Sequence, residues 1–288
     1  MTKAKTNVAR QAKSKLLFVS ERERQGPVPI HAKILNGFGS IPGQHKDFAF
    51  DTLLLLYYSQ ILGLPASWAS LALGASLVID AVSDPLVGSW SDNFRSRFCR
   101  RHLFMLAAIL STSLSFYALF HPPQTFASAE LAAWMLTFTV LTRLSFTFFA
   151  VPWAAMSAEL SQKYEERTSI QTYRVAVGWF VGVAFVFTMY SQFFPPTEND
   201  PSGLLSSDSF SPFGLLVSIL MATWMVITTM ATLSQIPFMT QPIQPLARVR
   251  LSALINQTIG TLRNRNFRIV FLACLATAAI AGTGQVFD

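Results

Sequence analysis

Asp80 and Asp84 stand one helical turn apart in SWASLALGASLVIDAVSDPLVGSW, residues 67–90, and are the only charged side chains in that run. The run is long enough to cross a bilayer as a helix. A carboxylate at membrane depth costs at least ~2.5–3.5 kcal/mol even on a lenient insertion scale. Two on one helical face, ~40° apart at 3.6 residues per turn, also repel each other. A positive charge between them, or a proton on one, removes that conflict. The chemistry this spacing offers is therefore reversible capture of a cation, Na+ or H+. The structural alternative is an Arg on a neighbouring helix that satisfies both carboxylates.

Composition places the pair in a membrane. Apolar residues make up 51% of the chain and charged residues 13%, about half the charge of a soluble domain. Mean hydropathy is +0.40. Two cysteines, Cys99 and Cys274, make neither a disulfide framework nor a zinc site, and His31, His45, His102 and His121 lack ligand spacing. No cofactor is expected. The first thirty residues show no continuous apolar core of the kind a cleavable leader needs, and 1–35 is expected to form a basic cytoplasmic tail.

Seven apolar spans are predicted near 36–62, 65–91, 103–121, 130–157, 171–194, 212–236 and 268–287. Helix is the form expected, because barrel strands show short alternating segments instead. The fold class is an all-α membrane protein of about seven transmembrane helices. Six helices span 36–236, a cytoplasmic loop covers 237–267, and 268–288 is the seventh helix. Of the 22 Lys and Arg residues, 19 fall in the tail or in loops on its side; Lys46, Arg143 and Arg174 fall within spans. The loops on the opposite side hold none, so the net charge of +7 signals topology and not a nucleic-acid partner. The N-terminus is expected inside a cell membrane.

The loop 92–102, DNFRSRFCRRH, follows the acidic span. Gly88 permits close helix approach, and Asp92 extends the face of Asp80 and Asp84 to the interface. With Ser96, Arg97, Arg100 and Arg101 they form a candidate cytoplasmic gate, or alternatively a topology anchor.

These residues carry a resemblance. DAVSDPLVG from Asp80 to Gly88, followed by Asp92 and Ser96-Arg97, resembles the glycoside–pentoside–hexuronide:cation symporters of the major facilitator superfamily, melibiose-carrier-like proteins. VPWAAMSAEL from Val151 to Leu160, then YEERT from Tyr164 to Thr168, then Tyr173 and Arg174, is similar to that family's connection between helices four and five. KDFA from Lys46 to Ala49, with Tyr57 and Tyr58, is a looser match. The resemblance covers the chain after residue 35. It implies a twelve-helix carrier in two six-helix halves, each half two inverted three-helix repeats. This chain would supply the N-terminal half and the start of the second, with the C-terminal half of the same carrier as its missing partner.

The resemblance further implies that Asp80 and Asp84 bind the coupling ion with Thr147 as a hydroxyl contributor, which suits a hard cation. The alternative for Thr147 is a bond back to its own backbone. Arg174 matches a sugar-site arginine; its other reading is a snorkelling anchor. Asp47 matches an acid that hydrogen-bonds sugar hydroxyls, although Gly39 to Gln60 is longer here than the family spacing. Lys46 and Asp51 offer the alternative of a local ion-paired cluster. Tyr57 and Trp153 suit stacking on a sugar face or plain helix packing. In one departure, Ala150 stands where melibiose-type carriers place an acid. Arg143, one turn before Thr147, is an intramembrane cation able to pair with Asp80 or Asp84.

The function expected is cation-coupled transport of a sugar or glycoside-like solute by alternating access. The nearest alternative in the superfamily is a carrier of a lysophospholipid or other amphipathic solute. An intramembrane enzyme would need His/Glu or Ser/His constellations that the spans lack, and a channel would need a ring and a filter. The partners expected are membrane lipid and a small-molecule substrate.

Overall fold

The computed structural model describes residues 26–93, 101–161, 163–198, 200–236, 260 and 264–287. The basic tail before residue 26, the loop 94–100 and most of the 237–267 segment lie outside these. The chain divides into two compact units, Met1–Pro245 and Leu246–Asp288.

Seven long helical rods occur among the described residues, in the order the apolar runs predict. They are α1 (30–61), α2 (Ala66–Asn93), α3 (His102–Leu119), α4 (Ser128–Glu159), α5 (Tyr164–Gln192), α6 (Ser207–Leu233) and α7 (Arg265–Phe287). The last belongs to the second unit. Five of them, α2 to α6, contain stretches long and apolar enough to cross a membrane. Several start earlier than their apolar runs. The first turns of α5, YEERTSI, are polar yet helical, which hydropathy cannot register.

The breaks between rods have local causes. Gly63 adopts φ +73°, a left-handed conformation that a side chain resists, and Pro65 follows it. Pro122 and Pro123 separate α3 from α4. Glu130 then accepts a 3.0 Å bond from the N–H of Ala127, closing the first turn of α4.

α1 is the irregular rod. A 3-10 turn, Phe38–Ser40, and two π segments, Ala49–Leu53 and Tyr57–Ile61, interrupt its α geometry. Wide turns of this kind accommodate additional residues and gather at functional sites.

In the first unit α1 packs on α5 and α6, α2 on α4, and α3 on both α4 and α6. Apolar clusters fill the two ends of the bundle. One gathers Tyr58, Phe116, Phe120, Phe210, Phe213 and Met221; the other gathers Met105, Phe149, Trp153, Met156, Ile170 and Met225. Lys46 and Arg143 approach Phe50 of the first cluster, and Arg174 lies on Trp153 of the second. Where α1 crosses α4 the backbone comes so close that a methyl at Gly39 would overlap the Trp153 indole.

Candidate functional site

The α2–α4 contact brings Asp80 and Asp84 against Arg143 and Thr147. A helix repeats its face every three to four residues, so Asp80 and Asp84 on α2 meet Arg143 and Thr147 on α4 as two facing pairs. Arg143 Nη1 lies 3.2 Å from Asp80 Oδ2. Thr147 Oγ1 lies 3.2 Å from Asp80 Oδ1 and 2.9 Å from Asp84 Oδ1. Arg143 and Thr147 are buried, whereas Asp80 is half-buried and Asp84 exposed. Arg143 therefore engages one carboxylate, not both. Oxygens of both acids and the Thr147 hydroxyl converge, the donor set a hard monovalent cation uses.

α1 closes this region with a second pair of opposite charges. Lys46, buried, lies 2.6 Å from the Oδ1 of exposed Asp47. Its ammonium is 5.5 Å from the rings of both Phe50 and Phe146, and the Arg143 guanidinium stands 5.0 Å from Phe50. Phe50 thus takes cations from two helices on one ring, a favourable arrangement because the π face carries negative potential. The local ion pair open for Lys46 and Asp47 in the sequence is present. Phe50 had no sequence signal, since an apolar residue in an apolar span looks like any other.

Arg174 lies in a separate cluster toward the other end of α4. Its guanidinium is 3.7 Å from the Trp153 ring centroid, and its Nη1 donates to Ser157 Oγ at 2.9 Å. Trp153 Nε1 donates to the carbonyl of Asn36 at 2.9 Å, and the indole stacks on Phe149. Trp153 is buried, with Arg174 on its ring face. Tyr57 is also buried, stacked against Phe210 at 4.5 Å and packed with Phe120, in the cluster at the opposite end. Asp47, Arg174, Trp153 and Tyr57 therefore do not form one constellation. Asp47 pairs with Lys46, Arg174 and Trp153 share a second cluster, and Tyr57 sits in a third.

Of the candidate gate residues, Gly88 lies within α2, where a Cβ would stand 3.4 Å from Val151 of α4. Asp92 falls in the last turn of α2, but its side chain lies outside the described residues, as do Ser96, Arg97 and Arg100. Arg101, just before α3, forms a 3.0 Å ion pair with Glu159 at the end of α4, both largely shielded from solvent. Glu159 stands in the second family block but had no role assigned to it. Nearby, Glu166 of α5 accepts the Val28 N–H at 3.0 Å and pairs with buried Lys33 at 3.3 Å, fastening α1 to α5.

Comparison with known proteins agrees with this architecture. A family model described as MFS/sugar transport protein matches residues 35–285. Among curated relatives, the uncharacterized symporter sll1374 of Synechocystis is 26% identical over 174 residues, covering 58% of this chain and 30% of its own length. The sodium-dependent lysophosphatidylcholine symporter 1 of Gallus gallus is 26% identical over 194 residues, covering 66% of this chain and 36% of its own. The putative glycoside/cation symporter YagG of Escherichia coli is 30% identical over 122 residues, covering 42% of this chain and 26% of its own. The chain spans roughly a third of the length of these curated relatives. With its apolar helices and a family match that runs from α1 into α7, the chain is a multi-pass membrane protein that belongs to the MFS/sugar transport protein family, whose members are transporters and not enzymes.

Proposed function

We propose that this chain supplies the cation-binding half of a secondary active transporter, working with a second six-helix half by alternating access. The observation that carries this reading is the convergence of Asp80, Asp84 and Thr147 oxygens on the α2–α4 contact. Na+ or H+ moving down its gradient loads the acidic pair and relieves its repulsion. A loaded pair favours one conformation over the other, and that difference couples ion to solute. The N-terminus lies on the cytoplasmic side of a cell membrane, as the distribution of Lys and Arg indicates.

The solute is a sugar or glycoside-like compound, in keeping with the glycoside/cation symporter among the relatives. Asp47, exposed and paired with Lys46, is the group we assign to accept its hydroxyls. Three observations favour an amphipathic solute as the second reading. Arg174 and Trp153 are engaged with each other, Ala150 supplies no acid, and a lysophosphatidylcholine symporter matches over a larger share of the chain than YagG does.

The test is uptake by the full-length carrier in liposomes, with sugars and lysolipids each offered under Na+ and under proton gradients. Asp80→Asn and Asp84→Asn are expected to abolish ion dependence. Unchanged ion dependence in both variants rejects the coupling role.

A further inference from the structure

The Asp80–Asp84 pair does not stand alone against the ion it takes. Arg143 is 8% exposed, and its Nη1 reaches Asp80 Oδ2 at 3.2 Å. Its Nε has no hydrogen-bond partner among the described residues. The arginine side chain carries a permanent charge in proteins. Asp84 has no ion pair among the described residues; its partner is the Thr147 hydroxyl. The other cation of this region, Lys46, is taken by Asp47 at 2.6 Å.

We infer that Arg143 is a tethered counter-cation that permanently fills one of the two positive places offered by Asp80 and Asp84, so that a single monovalent ion loads, on the Asp84 side. The inference rests on the cation-coupled reading above and fixes its stoichiometry. The argument is one of charge. Asp80, Asp84 and Arg143 together carry one negative charge, and one monovalent ion makes the group neutral in a region where unbalanced charge is costly. A second ion, or a divalent one, leaves an excess positive charge. The oxygens that remain for the ion are the Asp84 carboxylate, Asp80 Oδ1 and Thr147 Oγ1, because Asp80 Oδ2 is held by Arg143. The two acids are thereby unequal: Asp80 is a partly occupied ligand and Asp84 the group that loads and unloads. Asp51, exposed on α1 beyond Phe50, is the remaining acid of this region. It feels the Arg143 and Lys46 charges but makes no hydrogen bond or ion pair with Arg143 or Thr147 among the described residues, so it is no ligand at the α2–α4 contact.

The experiment titrates purified full-length carrier with Na+ at fixed alkaline pH, and with protons in K+ alone, following thermal unfolding. Wild type is expected to load one ion, with a Hill slope of about one for a single site. Arg143→Gln is expected to tighten apparent cation affinity by roughly 10- to 1000-fold, the range by which an adjacent opposite charge moves a carboxylate's equilibrium. Its slope should steepen as a second ion enters. Arg143→Lys, which keeps the charge, should stay close to wild type. If Arg143→Gln does not accumulate, the charge-balanced double variant Arg143→Gln/Asp80→Asn serves in its place. It is expected to keep loading one ion through Asp84, more weakly than wild type because Asp80 no longer lends a charged oxygen. Unchanged affinity and slope in Arg143→Gln, or loss of all loading in the double variant while Asp84 is intact, overturns the inference and leaves the acidic pair as the ion site. A wild-type carrier that responds to neither ion, with Asp84→Asn identical to it, overturns the cation-coupled reading itself, and the inference falls with it.

Discussion

Thr147 Oγ1 stands 2.9 Å from Asp84 Oδ1 across the α2–α4 contact, within reach of Asp80 as well. A hydroxyl carries one proton and two lone pairs. It can therefore donate to one carboxylate at a time, and it can turn a lone pair to an arriving cation. Thr147→Val keeps the shape and deletes that oxygen. The loss of one such contact, about 1 kcal/mol or slightly more, corresponds to roughly five- to tenfold weaker apparent cation affinity. Thr147→Ser should retain most of it. Ion-concentration curves of solute uptake measure both, and equal affinities for the two variants would remove Thr147 from the site.

Much of this site was legible in the sequence because charge inside an apolar span is conspicuous. Asp80, Asp84, Arg143 and Lys46 each interrupt such a run, and their helical spacing put Arg143 and Thr147 on one stripe of α4. The position of Trp153 was not legible. Whether an indole faces a solute or a neighbouring helix depends on what stands opposite, here Asn36 and Gly39 of α1 and Arg174 of α5. Nor did hydropathy reveal the π segments of α1, since a wide turn changes hydrogen-bond register without changing composition. The ion pair between Arg101 and Glu159 joins residues far apart in the chain, and only the α3–α4 packing brings them together.

Gly39 supplies a test of the α1–α4 crossing. A Cβ there would occupy space held by the Trp153 indole, whose Nε1–H is committed to Asn36. Overpacking of this kind costs about 1–3 kcal/mol. Gly39→Ala is therefore expected to lower the thermal midpoint of the full-length carrier, and Gly39→Val to lower it further. Pairing Gly39→Ala with Trp153→Phe should recover part of the loss by removing the bulk of the indole. A midpoint unmoved by Gly39→Ala would mean that the helices do not cross as described.

Arg174 separates a packing role from a solute role. Its planar guanidinium lies on Trp153 and bonds Ser157. Lys keeps the charge but not the flat, stacked geometry, and stacking of this kind contributes about 0.5–2 kcal/mol. If the cluster is chiefly structural, Arg174→Lys and Trp153→Phe both lower thermal stability and leave the apparent KM for solute near wild type. A several-fold rise in KM with unchanged stability would instead place Arg174 in the solute site.

The Arg101–Glu159 pair joins the segment before α3 to the end of α4. Glu159→Gln keeps size and removes the charge opposite Arg101. Contacting charges of this kind couple by about 0.5–3 kcal/mol. The exchange Arg101→Glu/Glu159→Arg should recover part of what either single change loses. If the pair acts as a gate, Glu159→Gln alters transport rate more than ion affinity. A stability loss with no change in rate would make it a fastening only.

Asp200 gives a pH-dependent prediction away from the membrane. In the segment between α5 and α6 its Oδ1 accepts bonds from the Ser202 hydroxyl and N–H at 2.6 and 3.1 Å. Its Oδ2 accepts from the Leu205 N–H at 2.7 Å. The Ser202 hydroxyl first, then the Leu205 N–H, hold this carboxyl below the usual aspartate range. A carboxyl lowered on folding adds stability that is complete above its unfolded value, near ~3.9 for aspartate. That contribution is lost as pH falls through the lower folded value. Amide exchange of Leu205 should therefore be slow at neutral pH relative to the same amide in Asp200→Ala. The two should converge only in acid, below the unfolded aspartate value. Equal exchange at neutral pH would mean that the carboxylate does not hold this turn.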